Sequence, residues 1–159
     1  MKTSVVYFSL SGNSEYVAQE IHKEIGADLV KLETVKPYPT NAAALFLVGG
    51  RRALAGEKPD LKPYQFNDKE SEAVIFITPN WANVYVPAIR SFLAKHALKN
   101  KKVGVIICSK GGKAEKCIQK FKEALPQCEM VGTLGLIDPG KNKTDEDLAK
   151  IKALCKAFQ

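Results

Sequence analysis

The chain has no apolar run approaching the roughly 20 residues that a membrane-spanning helix needs, so no membrane partner is expected. Its start, Met1-Lys2-Thr3-Ser4, lacks the charged region, apolar stretch and small-residue cleavage site of a signal peptide and runs straight into an apolar segment. These absences predict a cytoplasmic location. Cysteine is sparse: Cys108, Cys117, Cys128 and Cys155 contain no CxxC pair, and the only two histidines, His22 and His96, lie far from them in sequence. A zinc site or a redox dithiol therefore has no support, no metal is expected, and the thiols read as free. Cys108, inside an apolar strand, reads as a small core residue. No linker, repeat or low-complexity tract divides the 159 residues, so one domain over 1–159 is expected.

Charge is present but uneven. Nine lysines lie between Lys95 and Lys122 against Glu115 and the adjoining Glu123, which equals the +7 net charge of the whole chain. A basic face attracts an acidic partner, a phosphorylated ligand or nucleic acid. The segment has neither interleaved aromatics nor a nucleic-acid-binding motif, so no nucleic-acid partner is expected. Most of these lysines read as the solvated coat of helices.

Hydrophobic residues make up 45% of the chain, enough for a packed core. Apolar runs alternate with amphipathic ones. Thr3–Phe8, Leu29–Glu33, Ala73–Thr78, Val103–Cys108 and Glu129–Ile137 read as strands. Helices are expected over Asn13–Ile25, stopped by Gly26, over Val84–Lys95, over Gly112–Leu125, and from Thr144 to about Ala157 behind a Thr-x-x-acid start. Ala42–Val48 favours a helix, but Gly49-Gly50 is expected to interrupt it, with Arg51–Leu54 either continuing it or starting again; Gly56–Phe66, with Pro59 and Pro63, reads as a loop. Five βα units with near-continuous apolar strands predict an α/β fold with helices on both faces of a five-stranded parallel sheet. The third and fourth strands should be central, and the order should be 2-1-3-4-5.

In such sheets ligands bind beyond the carboxyl ends of the strands, where the strand order reverses. Three loops should meet there. The first, Ser9-Leu10-Ser11-Gly12-Asn13-Ser14, joins a strand to a helix and has three hydroxyls, an amide and a glycine but no Lys or Arg. Backbone N–H groups at a helix N-terminus favour an anion, and this composition suits a phosphate monoester held by neutral hydrogen bonds. A P-loop needs GxxxxGK[ST] and a dinucleotide fold needs GxGxxG; neither is present. A response-regulator receiver needs acidic residues after the first strand and an Asp after the third, where this chain has Phe8-Ser9 and Thr78-Pro79. The second loop, Thr78-Pro79-Asn80-Trp81-Ala82-Asn83-Val84-Tyr85, holds the only Trp. A lone Trp most often anchors a helix; at this crevice it is expected to stack on a flat ligand. The third, Ser109-Lys110-Gly111-Gly112-Lys113, could bring backbone close to a planar group.

Together these loops resemble those of the flavodoxin family. Ser9-x-Ser11-Gly12-Asn13-Ser14 fits the family's [ST]-x-[ST]-G-N-[ST] phosphate loop at every defined position. Thr78-Pro79-x-Trp81-Ala82, followed by Pro87-Ala88-Ile89-Arg90-Ser91-Phe92-Leu93, is similar to the second flavin loop and helix of short flavodoxin-like proteins, and Ser109-x-Gly111-Gly112 to the third. Pro37-Tyr38-Pro39 and Lys58-Pro59-x-Leu61 are also similar to that subgroup. The resemblance covers essentially the whole chain and implies a flavodoxin-like three-layer αβα sandwich that binds FMN. Ser9, Ser11, Asn13, Ser14 and the N–H groups from Leu10 to Ser14, Gly12 included, would hold the phosphate. Trp81 and Tyr85 would cover one face of the ring, and backbone of Asn80–Asn83 and Lys110–Gly112 would bond its polar edge. Asn83 stands where relatives often have Gly, and Asn tolerates the left-handed turn. No acid–base or nucleophilic constellation is present, so the flavin would be the redox group. The expected role is electron transfer with a redox partner protein. Two alternatives stand beside it: an FMN-dependent NAD(P)H or quinone oxidoreductase, and a non-redox binding module of the same fold. Monomer and homodimer are both compatible with the sequence. Family electron carriers are typically acidic; here Lys110 and Lys113 should instead stabilise reduced anionic flavin.

Overall fold

A computed structural model describes all residues, 1–159. The elements run β1 (Thr3–Tyr7), α1 (Asn13–Ile25), β2 (Asp28–Lys31), α2 (Ala42–Leu54), β3 (Ala73–Pro79), α3 (Pro87–Lys95), β4 (Lys102–Ser109), α4 (Glu115–Ala124), β5 (Glu129–Ile137), α5 (Pro139–Asn142) and α6 (Asp145–Cys155), closed by a 3₁₀ turn at Lys156–Phe158. Every strand pairing is parallel and the order is β2-β1-β3-β4-β5, as the sequence predicts, with β3 in the centre. No helix is long and apolar enough to cross a membrane.

Alternating side chains send each strand's residues to two separate cores. Val6, Phe8, Val74, Phe76, Val105 and Ile107 pack under α3 and α4. Val5, Tyr7, Ile75, Ile77, Ile106 and Cys108 pack under α1 and α6. Both faces of the central strands are buried, which is why they read as unbroken apolar runs rather than as an alternation. α1 docks through Val17, Ala18 and Ile21 and ends at Gly26, whose N–H reaches the His22 carbonyl from a left-handed conformation. Thr144 Oγ1 accepts from Asp147 N at 3.1 Å and starts α6.

Four expectations need correction. Gly49-Gly50 does not interrupt α2: Asn41 Oδ1 caps the helix, accepting from Ala43 N and Ala44 N, and the helix runs to Leu54. Gly49 allows close approach, since a Cβ on it would lie 3.0 Å from the Trp81 ring. α3 begins at Pro87, not Val84, because Val84 closes a tight turn. α4 begins at Glu115, not Gly112, because Gly112 is in a left-handed conformation at φ 68°. The one-turn α5 was not expected at all.

Candidate functional site

Three strand–helix loops meet at the carboxyl end of the sheet, and two are built alike. Gly12 N donates to Ser9 Oγ at 3.2 Å, and Gly112 N donates to Ser109 Oγ at 2.9 Å. Each Ser thus closes a turn on a glycine three residues later, and each glycine has the positive φ (94° and 68°) that such a turn requires. Gly12 hands the chain into α1, whose first N–H groups, on Asn13, Ser14 and Glu15, have no intrahelical acceptor.

The second loop is a turn in which Trp81 and Val84 exchange both backbone hydrogen bonds, at 3.0 and 3.1 Å. Its central residues, Ala82 and Asn83, are both left-handed, at φ 55° and 63°, the combination of a type I′ turn. Asn83 accommodates that conformation readily; Ala82 does so with strain. Thr78 is fully buried, accepting from Val86 N and donating to Pro79 O, so it shapes the loop from beneath.

Hydrogen bonds tie the loops into a circuit. Asn80 Nδ2 donates to Lys113 O at 2.8 Å, joining the second loop to the third. Asp138 N donates to Ser109 O at 3.1 Å, joining the third to the end of β5. Asn13 Nδ2 donates to Asp138 Oδ1 at 3.2 Å, and Asn13 Oδ1 accepts from Gly140 N at 3.0 Å, joining that end to the first loop. Gly140 lies so close to the first loop that a Cβ on it would stand 3.0 Å from Gly12 O.

Three buried side-chain polar atoms make no well-formed hydrogen bond: Ser14 Oγ, which has only the Cys108 thiol beside it, Tyr38 Oη, which has the Arg52 guanidinium nearby, and Asn80 Oδ1. They follow β1, β2 and β3 respectively, so all three lie at this one end of the sheet. A buried polar atom left wholly unpaired costs about 1–3 kcal/mol, and poorly satisfied atoms gathered at one end of the fold suit a ligand that completes their hydrogen bonds. Cys108 lies next to Ser14. Burial pushes its thiol up to about 12, the Ser14 hydroxyl being the one group that acts in the other direction. It is therefore a neutral, inert thiol.

The residues expected at the site divide into three groups. Leu10, Ser11 and Gly12 are exposed on the first loop; Ala82 and Asn83 are exposed on the second, and Lys110 and Gly111 on the third. Ser9, Asn13, Thr78, Pro79 and Ser109 sit at the same end, and the side-chain oxygens of Ser9, Asn13, Thr78 and Ser109 are engaged within the loops. Trp81 and Tyr85 do not stand in the open crevice. Trp81 is 9% exposed, edge-on to Phe8 and Tyr38 with centroids at 5.7 and 4.9 Å, and Gly49 of α2 lies against it. Tyr85 is 7% exposed, with its ring 4.5 Å from that of Phe121 on α4 and the Arg90 guanidinium over its face. In this conformation the two rings expected to cover one face of the flavin are packed against helices, Trp81 against α2 and Tyr85 against α4. Sequence reasoning missed Asp138 and Gly140, which carry no local signal, and missed the Tyr38 hydroxyl.

A family model described as Flavodoxin matches residues 2–151. No curated protein matches. Among solved structures, a candidate flavoprotein from Bacteroides eggerthii is 23% identical, with 98% of this chain and 96% of that one covered at a TM-score of 0.78. A flavoprotein from Lactobacillus acidophilus in complex with FMN is 16% identical, with 89% and 96% covered at 0.74. Oxidised Flavodoxin 2 from Bacillus cereus is 20% identical, with 99% and 97% covered at 0.63. At these identities the solved structures share the fold with this chain.

Proposed function

From the membership of this chain in the flavodoxin family, we propose that it binds FMN at the three loops and works in electron transfer. The observation that carries the reading is the set of three poorly satisfied buried polar atoms, Ser14 Oγ, Tyr38 Oη and Asn80 Oδ1, at the carboxyl end of the sheet. A phosphate monoester satisfies the Ser14 hydroxyl and the free N–H groups at the start of α1 together. Ser11, exposed on the same loop, adds a second hydroxyl. Asn80 Oδ1 is an acceptor suited to a ring N–H of the isoalloxazine. The exposed Ala82–Asn83 turn and the Lys110–Gly112 backbone suit its polar edge. FMN when bound supplies the redox chemistry; the chain positions it and tunes its charge. Lys110 and Lys113 form no ion pair with any carboxylate of the protein and so keep their full field for the flavin or for what approaches it.

Titrating the purified apoprotein with FMN and following flavin fluorescence and visible absorption tests the binding. Saturable quenching with an altered flavin spectrum at micromolar FMN is expected. Absence of saturation would leave only the non-redox module. The two unpaired lysines also favour a second reading, an FMN-dependent NAD(P)H or quinone oxidoreductase, since a phosphorylated nucleotide is drawn to the same charge. Anaerobic rapid mixing of the FMN-loaded protein with NAD(P)H separates the two: slow or absent flavin reduction fits the carrier, and rapid reduction fits the enzyme.

A further inference from the structure

The two helical layers carry opposite charge. α2, α3 and α4 hold seven Lys or Arg against two Glu, a net of +5. On the other face α1 and α6 hold six Asp or Glu against three Lys, a net of −3. Much of the acidic layer is neutralised by its own ion pairs, Lys31–Glu15, Lys23–Glu20, Lys150–Glu146 and Lys152–Glu24. On the basic side Arg51, Lys110, Lys113 and Lys116 belong to no ion pair.

The same side carries an apolar surface that the core does not use. α2 buries only Gly49 and Ala53. Its outer face repeats Ala43, Leu47, Gly50 and Leu54 at helical spacing, with Phe46 beside them. Phe46, Leu47 and Leu54 are 79%, 69% and 67% exposed. Large apolar side chains grouped on one helix face mark an interaction surface. The Trp81–Ala82 turn sits between this helix and the lysine loop: Gly49 and Gly50 press on it from one side, and Asn80 ties it to Lys113 on the other.

We propose that the outer face of α2, with Arg51, and the β4–α4 loop, with Lys110, Lys113 and Lys116, form one docking surface for an acidic protein partner. That partner's contact face would have an apolar centre ringed by carboxylates. The assignment of the partner as a redox protein rests on the flavin reading; the docking surface itself does not. The unpaired cations supply steering, and Phe46, Leu47 and Leu54 supply the desolvated centre where such interfaces concentrate their binding energy. Nucleic acid is disfavoured, because the middle of the surface offers three apolar side chains in place of phosphate-binding donors.

Isothermal titration with an acidic [2Fe–2S] ferredoxin as the probe, at 20 and 200 mM NaCl, tests this on the full chain with and without FMN. Saturable binding at low salt that weakens about tenfold or more at high salt is expected. Phe46→Ser should weaken binding without changing the salt slope. Lys113→Glu with Lys116→Glu should weaken it and flatten the slope. Lys156→Glu, an exposed residue on the opposite layer, should change it less than about twofold. Circular dichroism checks that each variant is folded. No saturable binding at 20 mM, an equal response to Lys156→Glu and to Lys113→Glu, or tighter binding to duplex DNA or anionic vesicles than to the ferredoxin would each overturn the proposal. Because binding is also read without FMN, loss of the flavin reading leaves the docking result standing.

Discussion

Ser14 combines two properties seldom found together: it is 1% exposed, and its hydroxyl has only the weakly polar Cys108 thiol beside it. Removing the hydroxyl should therefore help the empty protein and harm the loaded one. Ser14→Ala is expected to raise the unfolding free energy of the apoprotein by about 1 kcal/mol, because a desolvated oxygen is lost. It should also weaken FMN by about 1.5–3 kcal/mol, the worth of a hydrogen bond to a charged group. Urea denaturation and fluorescence titration measure the two effects separately. A variant that loses stability without losing affinity would show the hydroxyl to be structural. Ala82 gives a second test at this scale. At φ 55° it is strained, and it is exposed, with Gly50 of α2 beside its methyl on one side. Ala82→Gly should relieve about 1–2 kcal/mol of strain at about 0.5–1 kcal/mol in backbone entropy. The expected net gain is a rise in melting temperature of roughly 1–4 °C.

Among the elements, α2 separates what the sequence could convey from what it could not. Its apolar run and its Asn41 start are readable, but two consecutive glycines argue against a continuous helix by local propensity, about 1 kcal/mol each. The answer came from tertiary contact. A Cβ on Gly49 would stand only 3.0 Å from the Trp81 ring, whereas one on Gly50 would meet Ala82 Cβ at an ordinary 3.6 Å. The two positions should accordingly respond in opposite directions. Gly50→Ala is expected to stabilise by about 0.5–1 kcal/mol through propensity alone. Gly49→Leu is expected to destabilise by about 1–3 kcal/mol, as overpacking does. Equal responses in urea midpoint would mean that α2 does not rest on Trp81 in solution. The burial of Trp81 and Tyr85 was unreadable for the same reason: loop membership is written in the sequence, but which helix closes over a ring is not. The strand order and the three meeting loops were readable because both follow from hydrophobic patterning and crossover handedness. Asp138 and Gly140 were not, since they are brought to the first loop only by the return of β5 to the sheet edge.

For the molecule as a whole, the ionisable groups locked in its two cores set a limit on the alkaline side. Burial pushes the thiols of Cys108 and Cys117 up to about 12 and that of Cys155 up to about 11, from an ordinary 9.0. Desolvation also raises the phenols of Tyr7, Tyr38 and Tyr85. Between pH 9 and the folded-state values the unfolded chain gives up these protons while the folded chain keeps them, so the unfolded state is favoured as pH rises. Each such thiol contributes up to about 1.4 kcal/mol per pH unit across that window and nothing below it. Urea midpoints under reducing conditions should be flat from pH 7 to 8.5 and then fall steeply. Cys117→Ala should shift the midpoint at every pH but flatten the alkaline fall; an unchanged slope would exclude the buried thiol as its source. The same global view explains why the concentration of lysines in one stretch of sequence understated the asymmetry: the contrasting acidic layer is assembled from α1 and α6, at opposite ends of the chain.

The circuit of hydrogen bonds around the loops also fixes an order of events during synthesis. The loop that begins at Ser9 leaves the ribosome well before its partners, since Asn13 finds them 125 and 127 residues later, at Asp138 and Gly140. At 5–20 residues per second, translation leaves the loop waiting roughly 6–25 s for them. A segment made early in the domain is therefore among the last to be completed, and the nascent chain acquires the finished first loop only once β5 has been delivered.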